Sequence, residues 1–210
     1  MSQASRLRVP SLTGSENYDW LGLPERTGKL IVLSGPSGVG KSTISAEVVR
    51  RTGANFSVSA TTRPPRAGEV DGRDYFFVDR ATFERMVEKG EFLEHAEVFG
   101  QHCGTPAAPV RKAIEGGLTV LLDIDVQGGL QVARAMPKAT FILIVPPSME
   151  DLRRRLAGRG SEDPAALERR LAKAGQEIDT AKTSGVYKDI VVNDDLAKAI
   201  DEVVRIVEKS

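Results

Sequence analysis

Cysteine is almost missing from this chain. One cysteine in 210 residues allows no internal disulfide and fits a reducing compartment. Net charge is missing too: 29 basic residues balance 29 acidic ones. No overall field marks the chain for nucleic acid or for a membrane surface. No apolar run approaches the ~20 residues of a membrane span. Arginines at positions 6 and 8 are followed by no apolar stretch, so the first residues do not read as a secretory signal. No internal repeat or low-complexity tract is visible. Together these absences predict a soluble, cytoplasmic protein with neither nucleic acid nor membrane as partner. They leave a homo-oligomer open.

What is present centres on Gly35, Pro36, Ser37, Gly38, Val39, Gly40, Lys41, Ser42 and Thr43. This run satisfies G-x-x-x-x-G-K-[ST], the loop that cradles phosphates in P-loop proteins. An apolar run at 30–33 precedes it, and Ile44, Val48 and Val49 after it share one helix face. Its glycines let backbone N–H groups close on phosphate oxygens, and the helix behind aims its positive end there. Lys41 is the group to reach the β- and γ-phosphates, and Ser42 the hydroxyl to hold Mg²⁺. A nucleoside triphosphate, with ATP as the expected donor, is the ligand class this predicts.

The rest of the chain alternates short strands with helices. Residues 1–28 show no periodicity and are predicted to be a flexible extension. Strands are expected at 56–59, 75–78, 118–122, 141–145 and 190–192, and a mixed extended stretch at 91–98. Helices are expected at 81–89 behind an Asp79 cap, then at 106–115, 127–135, 149–157, 164–182 and 196–207. A turn with two glycines is expected at 99–104. The pattern predicts an α/β, three-layer P-loop NTPase fold with a central parallel sheet. The interval 61–105 breaks the rhythm. It is read as a strand-rich insertion, with the core at 29–60, 106–156 and 184–210 and a helical lid at 157–183.

The insertion carries Arg63, Arg66 and Tyr75 on or beside a proline-stiffened loop. Planar guanidinium forks suit a phosphate dianion, and so suggest an acceptor nucleotide instead of water. Asp123 and Asp125 close an apolar strand, where acids often sit near the P-loop metal. Asp123 is the candidate to order water on that metal.

The run SVSATTRPPRAGEVDGRDYFFV at 57–78 resembles the nucleoside monophosphate-binding segment of guanylate kinases. GPSGVGKST, LLDIDVQG, PPSMEDLRRRLAGRG and VVNDDL are similar to that family in the same order. The likeness covers about residues 29–208 and implies transfer of a phosphoryl group from ATP to GMP, and to dGMP, with Mg²⁺. By this likeness Arg63, Arg66 and Tyr75 hold the GMP phosphate, while Ser59, Glu94, Thr105 and Asp125 face guanine. Lys41 with the lid arginines Arg155, Arg159 and Arg170 stabilises the moving phosphoryl group, and Asn193 lies near the adenine. For Glu94 the physics agrees: guanine offers two parallel N–H donors to its two oxygens, and adenine does not. Hydroxyls at Ser59 and Thr105 can donate to guanine O6. One position departs from the pattern. Where the family usually has a tyrosine before Gly104, this chain has Cys103. Its neighbour His102 is the candidate to make up the missing donor.

Overall fold

The computed structural model describes residues 28–98, 100–158 and 163–210. The extension before Gly28, and Arg159, lie outside them. In chain order the first elements are β1 (Lys29–Ser34), α1 (Lys41–Thr52), β2 (Asn55–Phe56), β3 (Ala60–Thr61), β4 (Phe76–Phe77), α2 (Arg80–Glu88), β5 (Phe92–Val98) and β6 (Gln101–Pro106). There follow α3 (Ala107–Glu115), β7 (Thr119–Asp123), α4 (Val126–Ala135), β8 (Thr140–Val145), α5 (Met149–Ala157), α6 (Pro164–Ser184), β9 (Asp189–Val192) and α7 (Leu196–Lys209).

The main sheet runs β2-β7-β1-β8-β9, and every pairing in it is parallel. Side chains alternate across a strand, so a strand covered on both faces must be apolar throughout. That is why β1, β7 and β8 read as unbroken apolar runs. Leu30, Val32, Leu122, Leu143 and Val145 point into a core completed by Val110, Val126, Val132, Ile178 and Tyr187. Ile31, Leu33, Leu121, Ile142 and Ile144 point the other way, onto Ile44 and Val48 of α1 and Val203 of α7. Helices cover both faces, and the P-loop leaves the carboxyl end of the central strand.

A second, mixed sheet runs β4-β3-β6-β5. Its hairpin β5–β6 is antiparallel, and β3 pairs antiparallel with β6 but parallel with β4. Two expectations are corrected here. The strand predicted at 56–59 is broken, because Phe56 ends β2 in the main sheet while Ala60 starts β3 in the second. The turn predicted over 99–104 gives way at Gln101 to β6. Gly104, taken for a turn residue, is a strand glycine at a close approach: a Cβ there would sit 2.8 Å from the Glu94 carbonyl oxygen. The Asp79 cap is as expected, accepting from the Thr82 N–H. Among the described residues no helix is long and apolar enough to cross a membrane.

Candidate active site

The P-loop joins β1 to α1 and is braced from outside. Gly40 adopts φ 101°, and a Cβ there would meet the Asn193 amide nitrogen at 2.7 Å. That amide donates to the Val39 carbonyl at 2.8 Å. Gly40 makes no side-chain cap, so the first N–H groups of α1 are left for a ligand. Lys41 Nζ donates to the Gly35 carbonyl at 2.7 Å and lies along the loop. Burial pulls its pKa down, opposed by Asp123, then Glu177, then Asp125. A cavity of about 350 Å³ opens here, placed for phosphate and lined by Gly35, Gly40, Lys41, Ser42, Lys173 and Glu177.

Asp123 ends β7 beside this loop. Burial pushes its carboxyl up, while Lys41 and the Ser42 and Ser45 hydroxyls pull it down. Ser45 Oγ is buried close to the Asp123 carboxylate but makes no hydrogen bond of good geometry. A hydroxyl, a carboxylate and a neighbouring unsatisfied hydroxyl form an oxygen-rich corner. This suits Mg²⁺, which takes one or two protein oxygens and completes its shell with water and phosphate. Among the described residues no group of three or more His, Cys, Asp or Glu could hold a metal alone.

The facing wall comes from the second sheet. One cleft of about 420 Å³ is lined by Ser42, Ser45 and Asp123 on the P-loop side and by Ser59, Asp74 and Tyr75 on the other. Arg63 lies over the Tyr75 ring at 5.4 Å. It also donates twice to Glu69, at 2.8 and 2.9 Å, and Glu69 takes the Arg66 N–H at 2.7 Å. Glu69 therefore holds the arginine loop together. It was missed in the sequence, where it reads as a surface acid three residues after Arg66. The Arg66 guanidinium is exposed beside Tyr75 and Glu69.

Glu94 is 7 % exposed and accepts from Thr105 Oγ1 at 2.6 Å. Burial pushes Glu94 up, the Thr105 bond pulls it down and Asp125 pushes it further up. Thr105 has one hydroxyl proton, and it is spent on Glu94. Thr105 thus orients the carboxylate and is not poised to donate to a base. Asp125 caps α4 by accepting from the Gly128 N–H at 2.8 Å and lines the phosphate cavity. Cys103 faces the Glu94 and Arg63 side of β6. His102 does not replace it. Strand alternation turns His102 to the opposite face, where its ring stacks on Phe83 at 5.2 Å.

The remaining basic candidates separate. Arg170 Nη2 donates to Ser37 Oγ at 3.1 Å, so α6 touches the P-loop. Arg155 instead donates to the Asn193 carbonyl at 2.8 Å. With Gly38, Gly40, Thr43 and Asn193 it lines a second recess on the outer side of the loop. Lys173 and Glu177, both at the phosphate cavity, were not singled out in the sequence. Their spacing there looks like an ordinary helix-surface ion pair.

A family model described as guanylate kinase matches residues 27–210. A guanylate kinase of Thermus thermophilus is 50% identical over 173 residues, 82% of this chain and 77% of its own length. One from Rhodococcus jostii is 48% identical over 182 residues, 85% of this chain and 86% of its own. The crystal structure of guanylate kinase from Anaplasma phagocytophilum superposes with a TM-score of 0.69 at 36% identity, covering 87% of this chain and 86% of that one.

Proposed function

This chain belongs to the guanylate kinase family, and from that premise we propose that it phosphorylates GMP, and dGMP, at the expense of ATP. The observation that carries the reading is the single cleft with Ser42, Ser45 and Asp123 on one wall and Ser59, Asp74 and Tyr75 on the other. A hydrolase needs one positioned water. A phosphotransferase needs a second anion site across from the first, and a cleft that brings Tyr75 of the insertion opposite Ser42 of the P-loop supports that reading.

The P-loop N–H groups and the uncapped start of α1 take the β- and γ-phosphates. Lys41, already desolvated, leaves the Gly35 carbonyl for the ligand. Ser42 would hold Mg²⁺ and Asp123 would order water on it, and the ion when bound would supply charge neutralisation. Arg63 and Arg66, held in place through Glu69, and Tyr75 grip the GMP phosphate. Glu94, aimed by Thr105, accepts the two parallel guanine N–H donors, with Ser59 and Asp125 beside it. The reaction needs little covalent help, so catalysis is alignment plus charge stabilisation. Lys41 and Arg170 already border the phosphate site. Arg155 joins them only in a closed state, Arg159 is the further lid arginine that the family likeness implies, and Asn193 serves the ATP side by bracing the loop. All these groups come from one chain, so a homo-oligomer is not required. The single cysteine supports a reducing, cytoplasmic setting.

GMP, dGMP, AMP and a pentose phosphate offered side by side in a coupled assay test the reading. Turnover is expected with GMP and dGMP alone. Equal turnover of AMP would sink it. Lys41→Ala is expected to abolish turnover in a folded protein.

A further inference from the structure

The phosphate cavity holds more charge than a P-loop needs. Glu177 is 8 % exposed and sits on its wall with Lys41, Ser42 and Lys173. A carboxylate beside a polyphosphate site repels the ligand, and burial among low-dielectric walls strengthens that repulsion. Its partner is the ammonium of Lys173, at 3.7 Å, one helical turn earlier on α6. The Lys173 side chain is 67 % exposed. It is a compact charge on a flexible stem, able to swing from one anion to another. Arg170, a turn earlier again, reaches Ser37 of the P-loop. The face of α6 bearing 170, 173 and 177 therefore looks onto the phosphates. Lys41 and Asp125 act on Glu177 from the P-loop and α4 sides.

We propose that Lys173 and Glu177 are an exchange pair: Glu177 holds the Lys173 ammonium over the vacant phosphate cavity until the polyphosphate of a bound nucleotide takes it. Lys173 is then a further phosphate ligand, and Glu177 a positioning residue that keeps nucleotide binding from becoming too tight to release. This rests on the reading of the cavity as the ATP site. The pair couples α6 to nucleotide occupancy, because the same helix carries both Arg170 and the swinging lysine.

A double-mutant cycle on the full chain tests it, with ATP and ADP titrated by calorimetry in the presence of magnesium. Glu177→Gln keeps the shape and removes the charge, and is expected to tighten both nucleotides about tenfold. Lys173→Ala is expected to weaken them about threefold in the wild type. In the E177Q background the same truncation is expected to cost more, since no acid then competes for the ammonium. Lys173→Arg is expected to retain most of the affinity, and GMP affinity is expected to stay unchanged throughout. The proposal is overturned if E177Q leaves ATP and ADP affinity unchanged or weakens it. It is also overturned if Lys173→Ala costs the same in both backgrounds, as a purely structural helix pair would. Should E177Q fail to fold, Lys173→Ala decides alone, and unchanged ADP affinity defeats the idea. Failure of the wild type to bind ATP would instead defeat the functional reading.

Discussion

Cys103 sits on β6 facing Glu94 and Arg63, where a longer donor could meet a bound phosphate. Burial pushes its thiol up to about 11, so it stays neutral at working pH and offers only a weak S–H donor. Cys103→Tyr is expected to lower the GMP KM by about tenfold through a charge-assisted hydrogen bond, leaving the ATP KM alone. A GMP KM that stays or rises counts against this. Glu94 tests the other end of the same substrate. Its two acceptor oxygens match guanine only when ionised, and burial has raised its pKa above the ordinary 4.5. GMP affinity, read by calorimetry without ATP, should therefore be full above the raised value and fall as pH drops through it. Glu94→Gln should cut kcat/KM for GMP by about a hundredfold and remove this acid limb. An acid limb that survives in E94Q would assign it to another group.

The helix and strand ends around the P-loop act as one brace. Asn193, just past β9, donates to Val39 of the loop, and Arg155 of α5 holds the Asn193 carbonyl. The Leu156 side chain of α5 lies 2.5 Å from where a Gly38 Cβ would be. Asn193→Ala would leave the buried Val39 carbonyl unpaired. It is expected to cost about 1–3 kcal/mol in urea unfolding and to raise the ATP KM. Wild-type stability together with a raised KM would mean that the amide contacts ATP and not the loop. From the sequence Asn193 reads as an adenine neighbour, because nothing local marks a contact made 154 positions away. The strands covered on both faces and the capped helices were readable because periodicity and capping are local. The break between Phe56 and Ala60 was not, since two-residue strands have no period to detect. β6 was misread because a glycine that clears a neighbouring carbonyl looks like a glycine that turns. Glu177 was hidden for a further reason: an i,i+4 Lys–Glu pair looks alike whether it faces water or phosphate.

Taken as a whole, the molecule keeps acids where a bare fold would not want them. Burial raises the pKa of Glu94 and Glu177 above 4.5, and that of Asp123 above 3.8. The carboxylates outside the core behave oppositely: hydrogen bonds from Arg63 and from backbone N–H groups hold the half-buried Glu69 and the exposed Asp79 below their ordinary values. Each class has its own sign. A raised carboxyl binds its proton more readily folded than unfolded, so stability grows as pH falls through the raised value and the gain is complete below the ordinary one. A lowered carboxyl contributes stability above its ordinary value and loses it as pH falls through the depressed one. The two windows lie in different places, with the gain from Glu94 and Glu177 coming first on acidification. The melting temperature of the protein without nucleotides is therefore expected to rise as pH falls from neutral toward the glutamates' ordinary 4.5, and to fall only at lower pH. The E94Q/E177Q variant should start higher at neutral pH, by about 2–4 °C for each kcal/mol gained, and should lose most of the rise. Nucleotides restore the balance in the wild type by mass action, since only the folded cleft binds them. Scanning calorimetry across the pH series decides. A melting temperature that falls steadily from neutral pH, or a double variant that keeps the wild-type slope, would mean that these buried acids are already compensated and that the cleft is not paying for its function in stability.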